Sequence, residues 1–455
     1  MLKFPADFLN SLANCPGFEK DSFIASHEAG EQVTAVRINT QKNLLQQLEF
    51  PFSEHVPWNA DGYYLPERPS FTLDPFFHAG AYYVQEASSM FLAEALRQTC
   101  NLKENLTVLD LCAAPGGKST LIQSLISEDS LLLSNEVIKS RVNILSENIA
   151  KWGAANVVVS NNDSSDFSRL KNFFDVIVVD APCSGSGLFR KDEAALREWS
   201  LKAVEFCSQR QQRILADVLP ALKQNGILIY STCSYSLQEN EAITNWLIQQ
   251  KNMASLELSI NPLWNIVASK AEGSNAIGYR FYPNKLKGEG FYMAAFRKNE
   301  DSGTIKIAVG NKFNPLSKNE INLVQQYTDI KDDITLFKFN NDVFAFPQKG
   351  FAHLQQLQQV LYLKKAGVQV GTLLRNELLP HHELALATQI AGKFPVIEAE
   401  KSITLDYLRR KDIRIETAVK GWALLKYKSL GIGFIKILPN RANNYYPKEW
   451  RILNK

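Results

Sequence analysis

The feature that most constrains the fold is an alternation of short β-rich runs and helical patterns from about residue 106 to 300. The β-rich runs read LTVLDL, SLLLSN, NVVVS, DVIVVD and GILIYST. The helical patterns begin at Ser119 and near residue 138 and cross 203–220. The runs at 108–111 and 176–179 are almost continuously apolar, which is typical of parallel strands buried on both faces. The pattern predicts a doubly wound α/β domain, Rossmann-like in class, with helices on both faces of its sheet.

The chain on either side of this domain predicts smaller units. Residues 1–75 contain one strand-like run, VTAVRI, and suggest a small α/β appendage ahead of a main domain at 76–300. A polar segment then leads into an intermediate region at 301–390, where ITLFKF, NND and VFAFP predict a hairpin and HLQQLQQVLYLKK predicts an amphipathic helix. Residues 391–455 are predicted to be rich in β-structure.

Composition limits the compartment and the metal chemistry. The N-terminus lacks the pattern of a secretory signal, and no uncharged stretch approaches the ~18 residues of a membrane span. We therefore expect a cytoplasmic protein whose six cysteines are reduced, because no Cys-x-x-Cys pair is present. The adjacent His381 and His382 are interpreted as part of a solvated helix or turn, and no metal is predicted.

Positive charge is concentrated at the C-terminal end. Residues 401–455 contain 13 Lys and Arg against four Asp and Glu, whereas the whole chain has a net charge of only +3. Aromatic residues lie among these charges, namely Trp422, Tyr427, Tyr445, Tyr446 and Trp450. A solvated face is one interpretation, but the mixture also suits phosphate contact and base stacking.

The first strand of the main domain leads into a candidate cofactor loop, VLDLCAAPGGKST at 108–120. Its glycines allow backbone N–H groups to approach a ligand closely. The Gly-Lys-Ser sequence, with VIVVD later, resembles a nucleoside triphosphatase pattern. Cys112 stands where that pattern needs glycine, however, and Pro115 removes a backbone donor.

Acidic residues follow the next two strands. Glu136 comes after SLLLSN, and Asp163 comes shortly after NVVVS. Each alone would be interpreted as a surface charge, but ligands of open parallel sheets bind beyond the carboxyl ends of the strands. Without a GxGxxG fingerprint, these positions favour S-adenosylmethionine over a dinucleotide, with Glu136 at the ribose and Asp163 near the adenine amino group.

Two thiols are predicted to face one pocket. The fourth strand ends in DAPCSGSGLFRKD and the fifth in YSTCSYSLQENE, so Cys183 and Cys233 should emerge side by side. Cys183 is open to a second interpretation as a small buried residue, although Arg190 and Lys191 nearby suggest a depressed thiol pKa. No histidine lies near either motif, which argues against a Cys–His pair.

Thiols suit methylation at carbon 5 of a pyrimidine, which is a poor nucleophile on its own. Addition of a thiolate at carbon 6 produces an enamine that is nucleophilic at carbon 5. A proton is also needed near ring nitrogen 3, and Asp180 is the candidate to supply it if its pKa is raised. A base must finally remove the carbon 5 proton so that the thiol can leave.

At this point the motifs match a family. LDLCAAPGGK, DAPCSGSG and YSTCS, with YYVQEASSM ahead and RFYPNKLKGEGFYMA behind, resemble the Sun-type RNA cytosine-5 methyltransferases over about 75–298. AVRINT resembles the N-terminal signature of the family, which implies an RNA-binding appendage at 1–75. The segment GWALLKYKSLGIGFIKILPNRANNYYPKEWRI resembles the end of bacterial 16S ribosomal RNA cytosine-5 methyltransferases that carry a PUA-like RNA-binding domain.

The resemblance implies roles for individual residues. Cys233 would be the nucleophile, and Cys183 would assist release of the methylated product. Glu136 would hold the ribose of S-adenosylmethionine, while Asp163 and Asp180 would complete the cofactor pocket. The cofactor loop would consist of Cys112, Ala113, Ala114, Pro115, Gly116, Gly117 and Lys118.

The resemblance also implies a substrate and partners. We expect a monomer that methylates a specific cytosine in ribosomal RNA, of the 16S type, and that binds RNA or the small ribosomal subunit without contacting a membrane. Two alternatives remain at the level of sequence. One is a transfer RNA cytosine-5 methyltransferase, and the other is a catalytically inactive RNA-binding factor in ribosome assembly.

Overall fold

The computed structural model describes residues 4–42, 45–303, 305–307, 313–375 and 377–453. Its N-terminal part contains three short helices, α1 (Phe8–Ser11), α2 (Lys20–Glu28) and α3 (Pro75–His78). Four strands form an antiparallel sheet in the order β2-β3-β1-β4, with bounds β1 (Thr34–Ile38), β2 (Glu54–Val56), β3 (Asn59–Leu65) and β4 (Tyr82–Val84). The predicted strand VTAVRI is thus β1. The sheet continues past the boundary expected at residue 75, because β4 completes it.

The central part alternates strands and helices as predicted. Its helices are α4 (Leu92–Thr99), α5 (Gly117–Leu125), α6 (Lys139–Trp152), α7 (Glu193–Glu198), α8 (Leu201–Val218) and α9 (Glu241–Lys251). Its strands are β5 (Thr107–Asp110), β6 (Leu131–Asn135), β7 (Val157–Ser160), β8 (Phe174–Asp180), β9 (Leu222–Thr232), β10 (Met253–Leu256), β11 (Val267–Lys270), β12 (Ile277–Phe281) and β13 (Phe291–Lys298).

Five of these strands are parallel and lie in the order β9-β8-β5-β6-β7. The order reverses between β5 and β8, so the loops that follow these two strands diverge to opposite sides of the sheet. A crevice forms at such a switch point, beyond the carboxyl ends of the strands. The sheet is mixed rather than purely parallel, because β13 pairs antiparallel with β9 and with the strands beyond it.

The apolar run of β8 shows why the parallel strands are hydrophobic throughout. Val176 and Val178 belong to one buried apolar cluster, and Ile177 and Val179 belong to another. Successive side chains of a strand point to opposite faces, and helices cover both faces here. Each residue of the run therefore loses solvent contact.

The C-terminal part is built from short strands and helices. The helices are α10 (Lys318–Tyr327), α11 (Phe351–Val360), α12 (His382–Leu386) and α13 (Lys401–Leu408). The strands are β14 (Asn314–Pro315), β15 (Thr328–Asp329), β16 (Ile334–Phe339), β17 (Asp342–Pro347), β18 (Leu363–Ala366), β19 (Val368–Leu373), β20 (Leu378–Pro380), β21 (Ala391–Gly392), β22 (Val396–Glu398), β23 (Gly421–Tyr427), β24 (Leu430–Leu438) and β25 (Arg441–Asn444).

Three local predictions for this part have different outcomes. The hairpin is confirmed, since β16 and β17 pair antiparallel around Asn340 and Asn341. The predicted helix over HLQQLQQVLYLKK ends at Val360, and the following residues form β18, which pairs antiparallel with β7 and extends the central sheet. The last region contains the strands β21 to β25, as its predicted β-richness requires, and also the unpredicted helix α13 between β22 and β23.

The C-terminal sheet packs directly on the N-terminal sheet. Val36 and Tyr82 from the N-terminal part share one apolar cluster with Tyr407 and Leu425 from the C-terminal part. His382 is buried beside this contact, and its ring packs against Tyr446, so the solvated position predicted for it is wrong. In the described ranges, no helix combines the length and the apolar character needed to cross a bilayer.

Candidate active site

The candidate cofactor loop joins β5 to α5 at the switch point. Gly116 immediately precedes α5 with a φ of +115°, a conformation that strongly favours glycine. Gly117 packs so closely that an added Cβ would lie 3.2 Å from Cε1 of Tyr83. The loop therefore presents its backbone to the space beyond β5, with no side chain at its tightest point.

A cavity of about 420 Å³ lies against this loop. Most of the predicted loop residues line it, together with Asp180 and Cys233; Cys183 does not. Other lining residues were not predicted as site residues, and they are Tyr83, Val84, Gln85, Glu86, Ser89, Arg141, Leu188, Glu289, Gly290 and Phe291. Several of these come from the segment YYVQEASSM at the end of the N-terminal sheet, so that appendage forms one wall of the cavity.

Asp110, at the end of β5, is a buried acid that was not predicted as a site residue. Ser119 donates a hydrogen bond of 2.6 Å to its Oδ2, whereas its Oδ1 has no hydrogen-bond partner among the described residues. Burial raises the pKa of Asp110 to about 7. An unpaired buried oxygen is costly, so this position suits a carboxyl group that gains a donor when a ligand binds.

Lys118 and Asp180 form an ion pair in the cavity, with Nζ 2.8 Å from Oδ2. Ser231 donates a hydrogen bond of 2.7 Å to Oδ1 of Asp180. Burial disfavours the Lys118 ammonium, but the Asp180 carboxylate outweighs this effect, and the pKa of Lys118 is raised. In this pair Lys118 therefore carries the proton, whereas Asp180 alone was predicted to supply it.

The two predicted thiols meet, as expected from the pairing of β8 with β9. The Sγ atoms of Cys183 and Cys233 are 3.0 Å apart. The pKa of Cys183 is raised well above its ordinary value, first because its thiol shares a hydrogen bond with Cys233 and then because it is buried. The depressed pKa expected for Cys183 is therefore wrong.

The basic neighbours of Cys183 are engaged elsewhere. Arg190 forms two hydrogen bonds, of 2.9 and 3.1 Å, with the carboxylate of Glu289, and both side chains are almost fully buried. Lys191 lies 3.5 Å from the same carboxylate. Because Glu289 compensates these charges, they do not favour a thiolate at Cys183.

Glu239 ties the two cysteine loops together and was not predicted. Its carboxylate accepts hydrogen bonds from the backbone N–H of Ser184 at 2.7 Å, from the Ser184 hydroxyl at 2.5 Å and from the Ser234 hydroxyl at 2.6 Å. Ser184 follows Cys183 and Ser234 follows Cys233, so one buried carboxylate fixes both thiols. Burial raises the pKa of Glu239 despite these hydrogen bonds.

The two predicted adenosine-binding acids lie at neighbouring strand ends but do not line the cavity. Glu136 is buried, accepts a hydrogen bond from the backbone N–H of Ile138 at 2.9 Å, and lies 3.4 Å from Arg141. Asp163 is exposed and accepts hydrogen bonds from the backbone and hydroxyl of Ser165, which lower its pKa. The Arg141 guanidinium, which pairs with Glu136, does line the cavity.

The aromatic residues of the basic C-terminal segment are mostly structural. Tyr427 and Tyr446 are buried, and Trp422 is buried with its indole N–H donating to Glu377. Trp450 packs edge to face on the ring of His382. Of the five rings only Tyr445 is exposed, so the base stacking expected of this aromatic and basic mixture is not available to the buried rings of Trp422, Tyr427 and Tyr446.

Comparison with known families identifies the family to which this chain belongs. Three protein-family models match the chain. That of 16S rRNA methyltransferase RsmB/F matches residues 97–297, that of the N-terminal domain of 16S rRNA methyltransferase RsmF matches 4–87, and that of the methyltransferase RsmF PUA domain matches 394–452. Ribosomal RNA small subunit methyltransferase F of Aeromonas salmonicida is 30% identical over 451 residues, which cover 94% of this chain and 93% of the relative. The chain belongs to the RsmB/F family of 16S rRNA methyltransferases.

Two further similar proteins support the assignment of this chain to the RsmB/F family. The protein of the same name from Vibrio vulnificus is 30% identical and covers 92% of this chain and 90% of its own length. A solved methyltransferase homolog from Pyrococcus horikoshii is 30% identical with a TM-score of 0.54, over 65% of this chain and 96% of that one. The resemblance drawn from the motifs is confirmed, and the protein is an S-adenosylmethionine-dependent RNA methyltransferase. An inactive assembly factor is thereby disfavoured.

Proposed function

We propose that this methyltransferase transfers a methyl group from S-adenosylmethionine to carbon 5 of a cytosine in the RNA of the small ribosomal subunit, through a covalent adduct on Cys233. The observation that carries the proposal is the asymmetry of the thiol pair. Both sulfur atoms lie within 3.0 Å of each other, but only Cys233 lines the cavity beside the cofactor loop.

The residues around the cavity fit S-adenosylmethionine. The backbone at Gly117, the Lys118 ammonium and the Asp180 carboxylate all line the cavity, and they offer the close approach and the polar groups that such a ligand needs. Residues 112–118 and Asp180 would hold its amino-acid part, with Glu136 and Asp163 at its adenosine end. When bound, the cofactor supplies the electrophilic methyl group.

Cys233 opens the reaction by adding its thiolate to carbon 6 of the cytosine. Ring nitrogen 3 takes up a proton as the adduct forms, and carbon 5 becomes an enamine carbon that can accept the methyl group. The Lys118–Asp180 pair is suited to the proton because the raised pKa of Lys118 keeps an ammonium in the cavity. Asp180 would orient the ring through its remaining acceptor capacity.

Cys183 closes the reaction by accepting the proton from carbon 5, after which the bond between carbon 6 and the Cys233 sulfur breaks. The electron pair of that bond leaves on the Cys233 sulfur, and ring nitrogen 3 returns its proton to the Lys118–Asp180 pair. In the free enzyme Cys183 holds its own proton, chiefly because of its hydrogen bond to Cys233. Once the Cys233 sulfur is bound to carbon, that hydrogen bond is lost. This removes the largest cause of the raised pKa of Cys183, whose own proton passes to solvent, and the resulting thiolate can accept the carbon 5 proton only after the adduct has formed.

The reaction is tested by substituting single cysteines and following methyl transfer to small-subunit RNA, with nucleoside analysis of the product. We expect 5-methylcytosine from the wild type and none from Cys233→Ala. Cys207→Ala is a matched control, because that cysteine lies on α8 and does not line the cavity. Full turnover by Cys233→Ala, or methylation at another atom, would refute the assignment.

RNA binding is proposed for a groove in the C-terminal domain. A cavity of about 760 Å³ lies between the segment 410–417 and the β24–β25 turn. Its lining has a cationic excess, since four cations outnumber the carboxylates of Asp412 and Glu416, and these cations are Arg410, Lys411, Arg414 and Arg441. Deleting residues 401–455 would not test this role, because the domain shares its apolar core with the N-terminal sheet. The charge reversal Arg414→Glu with Arg441→Glu should instead weaken RNA binding and flatten its salt dependence. Unchanged affinity would exclude the groove.

A further inference from the structure

A second cationic surface lies at the edge of the central sheet where β18, the last strand in its order, pairs with β7. We call it the α6–β18 surface, and its five exposed or half-buried residues are Lys139, Asn143, Asn161, Tyr362 and Lys364. They surround a cavity of about 490 Å³ whose floor is the buried Val142. The Tyr362 side chain is 64% exposed.

The backbone holds Tyr362 in place although its ring is in solvent. Tyr362 N–H donates a hydrogen bond of 2.9 Å to Oδ1 of Asn162, and the Tyr362 carbonyl accepts hydrogen bonds of 3.1 Å from the backbone N–H of Asn161 and from the Asn162 side chain. Within the described ranges, no aromatic ring packs against Tyr362. The backbone at Tyr362 is therefore fixed, and its exposed ring has no aromatic partner among the described residues.

The charge of this surface is unbalanced. Lys139 and Lys364 are both exposed, and neither forms an ion pair with any residue that the structure describes. No carboxylate lines the cavity, and the remaining polar groups are the amides of Asn143 and Asn161. Two cations without an ion pair, beside an exposed ring on a fixed backbone, suit the binding of single-stranded nucleic acid, because cations contact phosphates and a ring stacks on a base.

The surface also lies beyond the carboxyl ends of the parallel strands, as the two thiols do. Tyr362 precedes β18, and the antiparallel register places Leu363 opposite Ser160 at the carboxyl end of β7. Four inter-strand steps separate β18 from β8, the strand that leads to Cys183. At roughly 4.8 Å per step this is about 19 Å, a distance that a short RNA segment spans.

We propose that the α6–β18 surface binds an unpaired nucleotide of the substrate RNA, by stacking on Tyr362 and by contact of Lys139 and Lys364 with its phosphates, while the target cytosine is at Cys233. The proposal rests on the proposed RNA substrate. It adds a role for the 301–390 region, which contributes Tyr362 and Lys364 to the catalytic sheet.

The test compares RNA affinity, turnover and cofactor affinity in the full-length enzyme. Tyr362→Ala should weaken binding of small-subunit RNA about tenfold, and Tyr362→Trp should retain it. The double variant Lys139→Ala/Lys364→Ala should lower the slope of log affinity against log salt by about 1.4, as expected for two lost contacts with single-stranded phosphates. In both cases KM for RNA should rise while kcat at saturating RNA remains near that of the wild type.

Two controls match these changes. Phe206→Ala removes an equally exposed ring on α8, and Lys103→Ala removes an exposed cation that precedes β5, at the amino ends of the parallel strands. Unchanged RNA affinity in the Tyr362 and lysine variants would overturn the proposal, and so would a loss of S-adenosylmethionine affinity, which would assign the surface to the cofactor. Failure of the wild type to methylate small-subunit RNA would instead count against the proposed function.

Discussion

The strongest test of the site's architecture is removal of the Glu239 carboxylate. Glu239 is fully buried and accepts hydrogen bonds from three donors on the two cysteine loops. In Glu239→Ala, the backbone N–H of Ser184 and two serine hydroxyls lose their acceptor. Each unsatisfied buried donor costs about 1–3 kcal/mol, although the hydroxyls can rotate toward other acceptors. We expect a loss of about 3–5 kcal/mol in the free energy of unfolding, including the cavity that is left.

The effect on activity should be larger than the stability change suggests, because Glu239 positions both thiols. A displacement of about 1 Å at a reacting group lowers the rate about a hundredfold. We therefore expect single-turnover methyl transfer by Glu239→Ala to fall about a hundredfold at a temperature where the variant is folded. Glu239→Gln, whose amide can exchange hydrogen bonds with the rotating hydroxyls, should remain within about tenfold of the wild type.

Urea unfolding and single-turnover methylation measure both effects, and Glu193→Ala provides a control at an exposed glutamate. The pH dependence adds an independent readout. Burial raises the pKa of Glu239 in the folded protein, so the unfolded state releases this proton at lower pH. The stability of the wild type relative to Glu239→Gln should therefore fall as pH rises above about 4.5. A Glu239→Ala variant with wild-type rate and stability would refute the positioning role.

Other predictions address the remaining parts of the molecule. Cys183→Ala should accumulate a denaturant-resistant protein–RNA adduct on a gel, and its absence would count against a role in release. Lys118→Met should reduce kcat at least tenfold without unfolding the protein, since the ion pair lies at the cavity surface; an unchanged kcat would exclude it as the proton carrier. Glu289→Ala leaves the buried Arg190 uncompensated and should destabilise the fold by about 3–5 kcal/mol in urea, so a neutral result would contradict the pairing. Burial lowers the pKa of His27 and of His78 to about 4, so each histidine should lower the free energy of unfolding as pH falls from 6.5 toward 4. His78→Phe should reduce this loss in acid unfolding, and an equal pH slope in that variant would contradict the role of His78.

Local patterns predicted most of the catalytic domain. The run at 176–179 is apolar on both faces because both faces are covered, and this pattern is visible without any tertiary contact. The meeting of Cys183 with Cys233 followed from the same reasoning, since both emerge from neighbouring parallel strands. The sequence was informative where each residue's environment depends on its own strand or helix.

Features that depend on distant partners were missed. Glu239 holds Ser184 across 55 residues of chain, and nothing near Glu239 in sequence indicates that partner. The residues Leu363–Ala366 continue a helical pattern, but pairing with the exposed edge at β7 overrides it. The aromatic residues at Tyr427 and Tyr446 resemble a stacking platform until the N-terminal sheet is packed against them.

The most direct test of the central claim is peptide mapping of the adduct formed by Cys183→Ala on small-subunit RNA. After nuclease and protease digestion, mass spectrometry should find a cytidine nucleotide bonded through sulfur to the peptide that contains Cys233. A nucleotide on any other cysteine, or unmodified Cys233 in a protein that still methylates cytosine, would contradict the account.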